Sequence, residues 1–177
     1  MSSINKGYTL VELLVTMSLL VIVLTGGTAI FYRSFKSSGL SDAKTSLNAS
    51  MKTLDELIER SLRYGTVLKV INLSGEKDRS DCVLGNETGV TGSTVIVRDP
   101  SGGIVTYSLG DGKVSSNSGI ISNEKIAVSR LEFTWICRSG VNDKIKLLIE
   151  AAPIENTASE WTSIYEKDIN LLNSGIN

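Results

Sequence analysis

The chain contains no histidine in its 177 residues. That absence removes Ser/His/Asp and Cys/His nucleophile systems, the HExxH zinc site, and the side chain best suited to moving protons near neutral pH. Cysteine is scarce as well. Cys82 and Cys137 are too few for a four-thiolate zinc site and too far apart for a CxxC redox pair. GxxxxGK[ST] and GxGxxG elements are missing, so Gly89 and Gly92 in GVTG read as turn glycines. No DxDxDG spacing gathers Asp78, Asp81 and Asp111 into a calcium loop. With 18 Lys plus Arg against 19 Asp plus Glu, the formal net charge is -1, and no long-range field draws the chain to nucleic acid or an anionic membrane surface. A basic patch interleaved with aromatics is also missing, and no nucleic-acid partner is expected. Glu59, Glu132, Glu150 and Asp168 offer no pair that the sequence places in one cleft. No catalytic residue, cofactor or metal ligand is therefore expected, and the chain does not read as an enzyme.

What is present begins at the N-terminus. From Tyr8 to Tyr32 the sequence YTLVELLVTMSLLVIVLTGGTAIFY carries one charge, Glu12. It is long enough to cross a bilayer as a helix, which takes roughly 20 residues. Only MSSINKG precedes it, with Lys6 as its charged side chain. A secretory signal would place its small-residue cleavage site after the apolar core, whereas here the small residue, Gly7, comes before it. An ionised Glu12 in hydrocarbon costs about 3 kcal/mol even on a mild insertion scale, so it needs a partner or a place at the headgroup boundary. Cleavage after Gly7 would supply a partner: Tyr8 would gain an α-ammonium about 6 Å along the helix from Glu12, and a neighbouring subunit's ammonium would pair with that carboxylate.

The stretch KGYTLVELLV, Lys6 to Val15, resembles the class III signal shared by type IV pilins and type II secretion pseudopilins. The resemblance covers about the first 30 residues. It implies cleavage between Gly7 and Tyr8 by a prepilin peptidase, N-methylation of Tyr8, and use of Thr9 and Glu12 in registry with other pilin-like subunits through the N-terminal helix. It further implies a single-pass inner-membrane protein with an extracytoplasmic head, later carried in a filament or on the cell surface. Tyr8 stands where the family usually has Phe. Val21 and Ala29 stand where many major pilins carry a helix-loosening Gly and a Pro, and Gly26-Gly27 reads as a kink or as a close-packing site. The basic residues flanking the span, Lys6 on one side and Arg33 and Lys36 on the other, do not set its orientation. With the head outside the cytoplasm, Cys82 and Cys137 read as one disulfide, two buried free thiols being the alternative. The bridge would close a loop of about 55 residues and stabilise the head by about 4 kcal/mol in the chain-entropy model.

Leu40, Ala43, Leu47, Met51, Leu54, Ile58 and Leu62 recur at steps of three and four, so the helix continues past the membrane, with Gly39 as its weak point and Gly65 as its stop. After Gly65 the texture becomes β-branched runs between Gly, Asn, Asp and Ser. Strands are expected at Thr66 to Ile71, Thr94 to Arg98, Ile104 to Leu109, Lys113 to Ser116, Ile126 to Cys137, Lys144 to Glu150 and Ser163 to Leu172. Turns at Asp99-Pro100-Ser101-Gly102 and Gly110-Asp111-Gly112 make the second to fourth a meander. Leu131, Phe133, Trp135 and Cys137 fall on one face. The segment from Asn72 to Ser93 reads as a long exposed excursion tied down by Cys82.

The fold class is thus α+β, a long N-terminal helix on a β-rich antiparallel head. The expected divisions are a leader at 1–7, a membrane or filament-core helix at 8–32, an amphipathic stem at 33–64 and the head at 65–177. The head resembles J-type minor pseudopilins and their PilW-like relatives at the level of pattern, through the strand with Tyr107-Ser108-Leu109, the LEFTWIC strand and the late INLLN. That implies a minor, tip or priming subunit. The alternative is a signal-anchored extracytoplasmic binding module, adhesive or related to DNA uptake, which leaves Gly7 and Glu12 without a reason.

Overall fold

The computed structural model describes residues 9–85, 88–138, 140–154 and 161–173, without the side chains of Lys36, Ser37 and Leu40. The expected Lys6, Gly7 and Tyr8 lie outside the described residues. The chain divides into two units, Met1–Asp42 and Ala43–Asn177.

Helix α1, Leu10–Tyr64, is unbroken through Gly26, Gly27 and Gly39 and ends at Tyr64. In the second unit its apolar residues lie on one stripe: Leu47, Met51, Leu54, Ile58 and Leu62 are buried, and Ala43 is half-buried. This is the outcome a 3.6-residue period dictates when one face packs on a sheet. The strands are β1 Thr66–Asn72, β2 Gly75–Lys77, β3 Val90–Gly92, β4 Thr94–Arg98, β5 Ile104–Gly110, β6 Lys113–Ser116, β7 Gly119–Ile120, β8 Ile126–Ile136, β9 Lys144–Pro153 and β10 Ser163–Asn170. They form two antiparallel sheets, one ordered β2-β1-β4-β5-β6-β7 and the other β10-β9-β8-β3. The core joins the α1 stripe to Val67, Val70, Val95 and Val97 of the first sheet and to Leu131, Phe133, Trp135, Ile145, Leu147 and Ile149 of the second.

The expected meander is β4-β5-β6. Asp99 opens its first turn by accepting the N–H groups of Ser101 and Gly103, which holds the Asp99 carboxyl below its ordinary range, chiefly through the Ser101 hydroxyl. Its second turn is the two-residue Asp111-Gly112, both at positive φ, whose hand matches strand twist. The run Leu131, Phe133, Trp135, Cys137 is buried throughout.

The segment 72–93 departs from the expected open loop. It holds β2, the helix α2, Arg79–Leu84, and β3. Elements of three to six residues are too short to show a hydrophobic period, so they escape pattern reading. The signal that was there is local: Asp78 caps α2 by accepting from Ser80 and Asp81 N–H groups, while the Asp81 side chain accepts from the Asp78 N–H. Asp78 and Asp81 thus act as a capping pair, and Asp111 as a turn residue. Gly92 is fixed by contact, since a Cβ there would lie 2.2 Å from the Ile71 carbonyl oxygen. At the ends, β9 runs on to Pro153 and β10 stops at Asn170, short of the expected Leu172, because the chain there turns to the helix: Leu172 donates its N–H to the Arg63 carbonyl.

Candidate functional site

The first unit's distinguishing surface is the opening of α1. Thr9 immediately precedes the helix. Its Oγ1 accepts the Glu12 N–H at 3.3 Å, and its carbonyl accepts the Leu13 N–H at 3.2 Å. Thr9 therefore occupies the N-cap position and Glu12 the third helical position, the spacing of a T-x-x-E start. A carboxylate in the first turn is favoured by the helix dipole. Glu12 is exposed, so its charge is open to a partner.

Leu10–Phe35 has mean hydropathy 2.3 and none of it is buried. Four hydroxyls within it bond back to carbonyls of their own helix: Thr16 to Leu13, Ser18 to Leu14, Thr25 to Val21 and Thr28 to Leu24, at 2.7–2.9 Å. With those donors satisfied internally, the outward surface between Leu10 and Tyr32 is apolar apart from Glu12, and lipid or other apolar helices suit it as solvent.

In the second unit, Cys82 on α2 and Cys137 just beyond β8 are joined by a disulfide, their Cα atoms 5.6 Å apart. Beside it, Arg79 donates its Nε–H to the fully buried carboxylate of Asp143 at 3.1 Å. Bond and ion pair together pin the segment that carries α2.

A group unforeseen in the sequence lies between α1 and β10. The Lys167 ammonium donates to Asp55 at 2.8 Å and to Glu59 at 2.6 Å, and the Tyr165 hydroxyl donates to Asp55 at 2.9 Å. Arg63 pairs with the other oxygen of Glu59. Hydrogen bonds from Asp55 and then Glu59 push the Lys167 ammonium well above its ordinary range. The Lys167 hydrogen bond holds Glu59 below 4.5, against the opposing effect of burial. Burial, then the bond to Asp55, raises the Tyr165 phenol. Each group is held in the form that ties strand to helix. Of the other carboxylates named from the sequence, Glu132 pairs with Arg130, and Asp168 pairs with Lys144. The signal for the inner group was the phase of β10, where Lys167 shares the inward face with Tyr165 and Ile169. It is legible only once the strand's face is known.

Among known proteins, the prokaryotic N-terminal methylation motif matches residues 2–28. No curated protein and no solved structure matches the chain. The motif implies processing by a prepilin peptidase, and together with the apolar helix it points to an inner-membrane anchor with an extracytoplasmic head. The family that carries it is structural rather than enzymatic. With the motif, the exposed apolar helix and the antiparallel head in place, the chain has a pilin-like α+β architecture, and its methylation motif points to a type IV pilus or type II secretion subunit.

Proposed function

We propose that this chain is a minor subunit, seated at the tip or acting as a primer of its filament, of the J-type, PilW-like class. The observation that carries the filament reading is the apolar surface of Leu10–Phe35, wholly exposed and interrupted near its start by Glu12 and near its end by Arg33. Such a surface demands lipid before assembly and other helices after it. In this reading the leader is residues 1–7, with Lys6 as its basic residue. The bond from Gly7 to Tyr8 is cut, Tyr8 is methylated, and Thr9 and Glu12 set registry with other pilin-like subunits. The unbroken run of α1 past Val21 and Ala29 supports a minor subunit without a melted segment. The placement of Tyr107-Ser108-Leu109 on β5 and of Leu131 to Ile136 of LEFTWIC on β8, with Cys137 just beyond it, supports the J-type pattern.

Mass spectrometry of the native N-terminus tests processing: a methylated tyrosine supports it, and an intact Met1 overturns it in favour of a plain anchor. Gly7→Glu is expected to leave a full-length precursor. Co-purification of the subunit with other pilin-like heads tests the minor role, which a filament built of this chain alone would overturn.

A further inference from the structure

The two sheets have four edges, and three of them end in very short strands: β2 and β3 with three residues each and β7 with two. Short edge strands offer little to a passing chain. The fourth edge differs. Strand β10 has eight residues and pairs with β9 on one side; among the described residues no backbone hydrogen bond reaches its other side.

The direction of its backbone groups follows from one bond. Leu171 continues the β10 register opposite Asp143 and donates its N–H to the Asp143 carbonyl at 3.0 Å. Ladder bonds of an antiparallel pair alternate along the strand. Tyr165, Lys167 and Ile169 therefore turn N–H and C=O toward β9, while Ile164, Glu166, Asp168 and Asn170 turn theirs to the open side. The strand is also held in place from within, because Lys167 is bonded to Asp55 and Glu59 of α1. An edge fixed before a partner arrives loses less freedom on binding.

Charge selects the partner. On the exposed face of this sheet the rows run basic on β9 and acidic on β10: Lys144 pairs with Asp168 and Lys146 with Glu166, so each acid has a cation on its β9 side and none among the described residues on its other side. We propose that the free edge of β10 takes an extended strand of another protein chain with basic residues at alternate positions, adding a fifth strand to the sheet. Those residues would stand beside Glu166 and Asp168, and opposite charges on neighbouring strands are favourable. A second copy of β10 is a poor occupant. The two-fold registers that pair nearly the whole strand set Glu166 against the copy's Glu166, or Glu166 against the copy's Asp168. Like charges directly opposite are destabilising.

The test uses the full chain in detergent micelles and two short fluorescein-labelled peptides of alternating Thr and Val, one with Lys at every second position and one with Glu there. Anisotropy is expected to show the Lys peptide binding at least about tenfold more tightly. Ile164→Pro deletes one outward N–H while sparing the β9 ladder and both acids, since proline is tolerated on an edge whose N–H faces solvent. It is expected to weaken the Lys peptide by about tenfold with the melting temperature of the head unchanged. The double variant Glu166→Lys, Asp168→Lys keeps the backbone edge and is expected to reverse the peptide preference. Equal binding of the two peptides, undiminished binding by Ile164→Pro, or two-fold self-association that Ile164→Pro abolishes would each overturn the proposal.

Discussion

Ile22 and Ile58 lie on one helix and meet opposite surroundings: Ile22 is 66% exposed and Ile58 is 0% exposed. In the first unit the apolar side chains circle the helix, and each one described is exposed. In the second unit most keep to a stripe, and the stripe is buried, while Leu57 and Tyr64 lie off it and are exposed. A helix apolar all round requires an apolar surrounding from outside the chain, whereas a striped helix brings its own sheet. The first unit therefore reports on assembly and the second on folding, and substitutions should separate the two.

The largest expected effect is on assembly alone. In a filament the Tyr8 ammonium of a neighbouring subunit would lie unpaired near hydrocarbon without Glu12, and a broken buried pair costs about 3–5 kcal/mol. Glu12→Leu should then incorporate about a hundredfold less well, with the head melting as in wild type. Equal incorporation, measured as the fraction of subunit in sheared filaments, would return Glu12 to an interfacial residue of an ordinary anchor.

The disulfide is the matching test for the head. Cys82→Ser with Cys137→Ser releases a loop closed across 55 residues, which in the chain-entropy model is about 4 kcal/mol of stability. Urea unfolding of the oxidised and double-variant proteins measures it, and coincident midpoints would mean that core packing and the Arg79 to Asp143 pair already hold α2.

The isoleucine pair sharpens the comparison directly. Ile58→Ala opens a cavity in the core and should destabilise the head by about 2–5 kcal/mol, while Ile22→Ala should leave its melting unchanged. A shared response from both would mean that the two stretches of helix unfold as one body.

The smallest effect is a pH slope. The folded pKa of Glu59 is depressed by its bond to Lys167, so this contribution to stability is present above the ordinary value of 4.5 and is lost as pH falls through the lower folded value. Glu59→Gln should flatten the acid limb of stability below about pH 4.5. The raised Lys167 works at the other end: its contribution is full below 10.5 and fades as pH climbs through the higher folded value. An acid limb in Glu59→Gln as steep as in wild type would assign the loss to other carboxylates.

Much of this molecule was open to reading because its signals repeat. The steps from Leu47 to Leu62, the alternation from Leu131 to Cys137 and the Asp-Gly turn at Asp111-Gly112 each carry several residues that agree. Strand β5, Ile104–Gly110, falls where the turn chemistry on its two sides put it. The segment around α2 was not open in this way, since its order comes from a six-residue helix, a capping pair and a distant aspartate, Asp143. The inner group was hidden for a related reason: Asp55 and Lys167 are 112 residues apart, and neither sits in a pattern that names the other.

The sequence by itself determined the parts governed by period and composition: an apolar helix with one acid near its start, a striped continuation, and a head of short antiparallel strands. Tertiary structure alone decided which distant side chains met. It set Lys167 between Asp55 and Glu59, brought Arg79 to Asp143, and placed β10 at the end of its sheet. Periodicity is a property of neighbours along the chain, but ion pairs and sheet edges depend on strand order and register, which emerge only when the whole core closes.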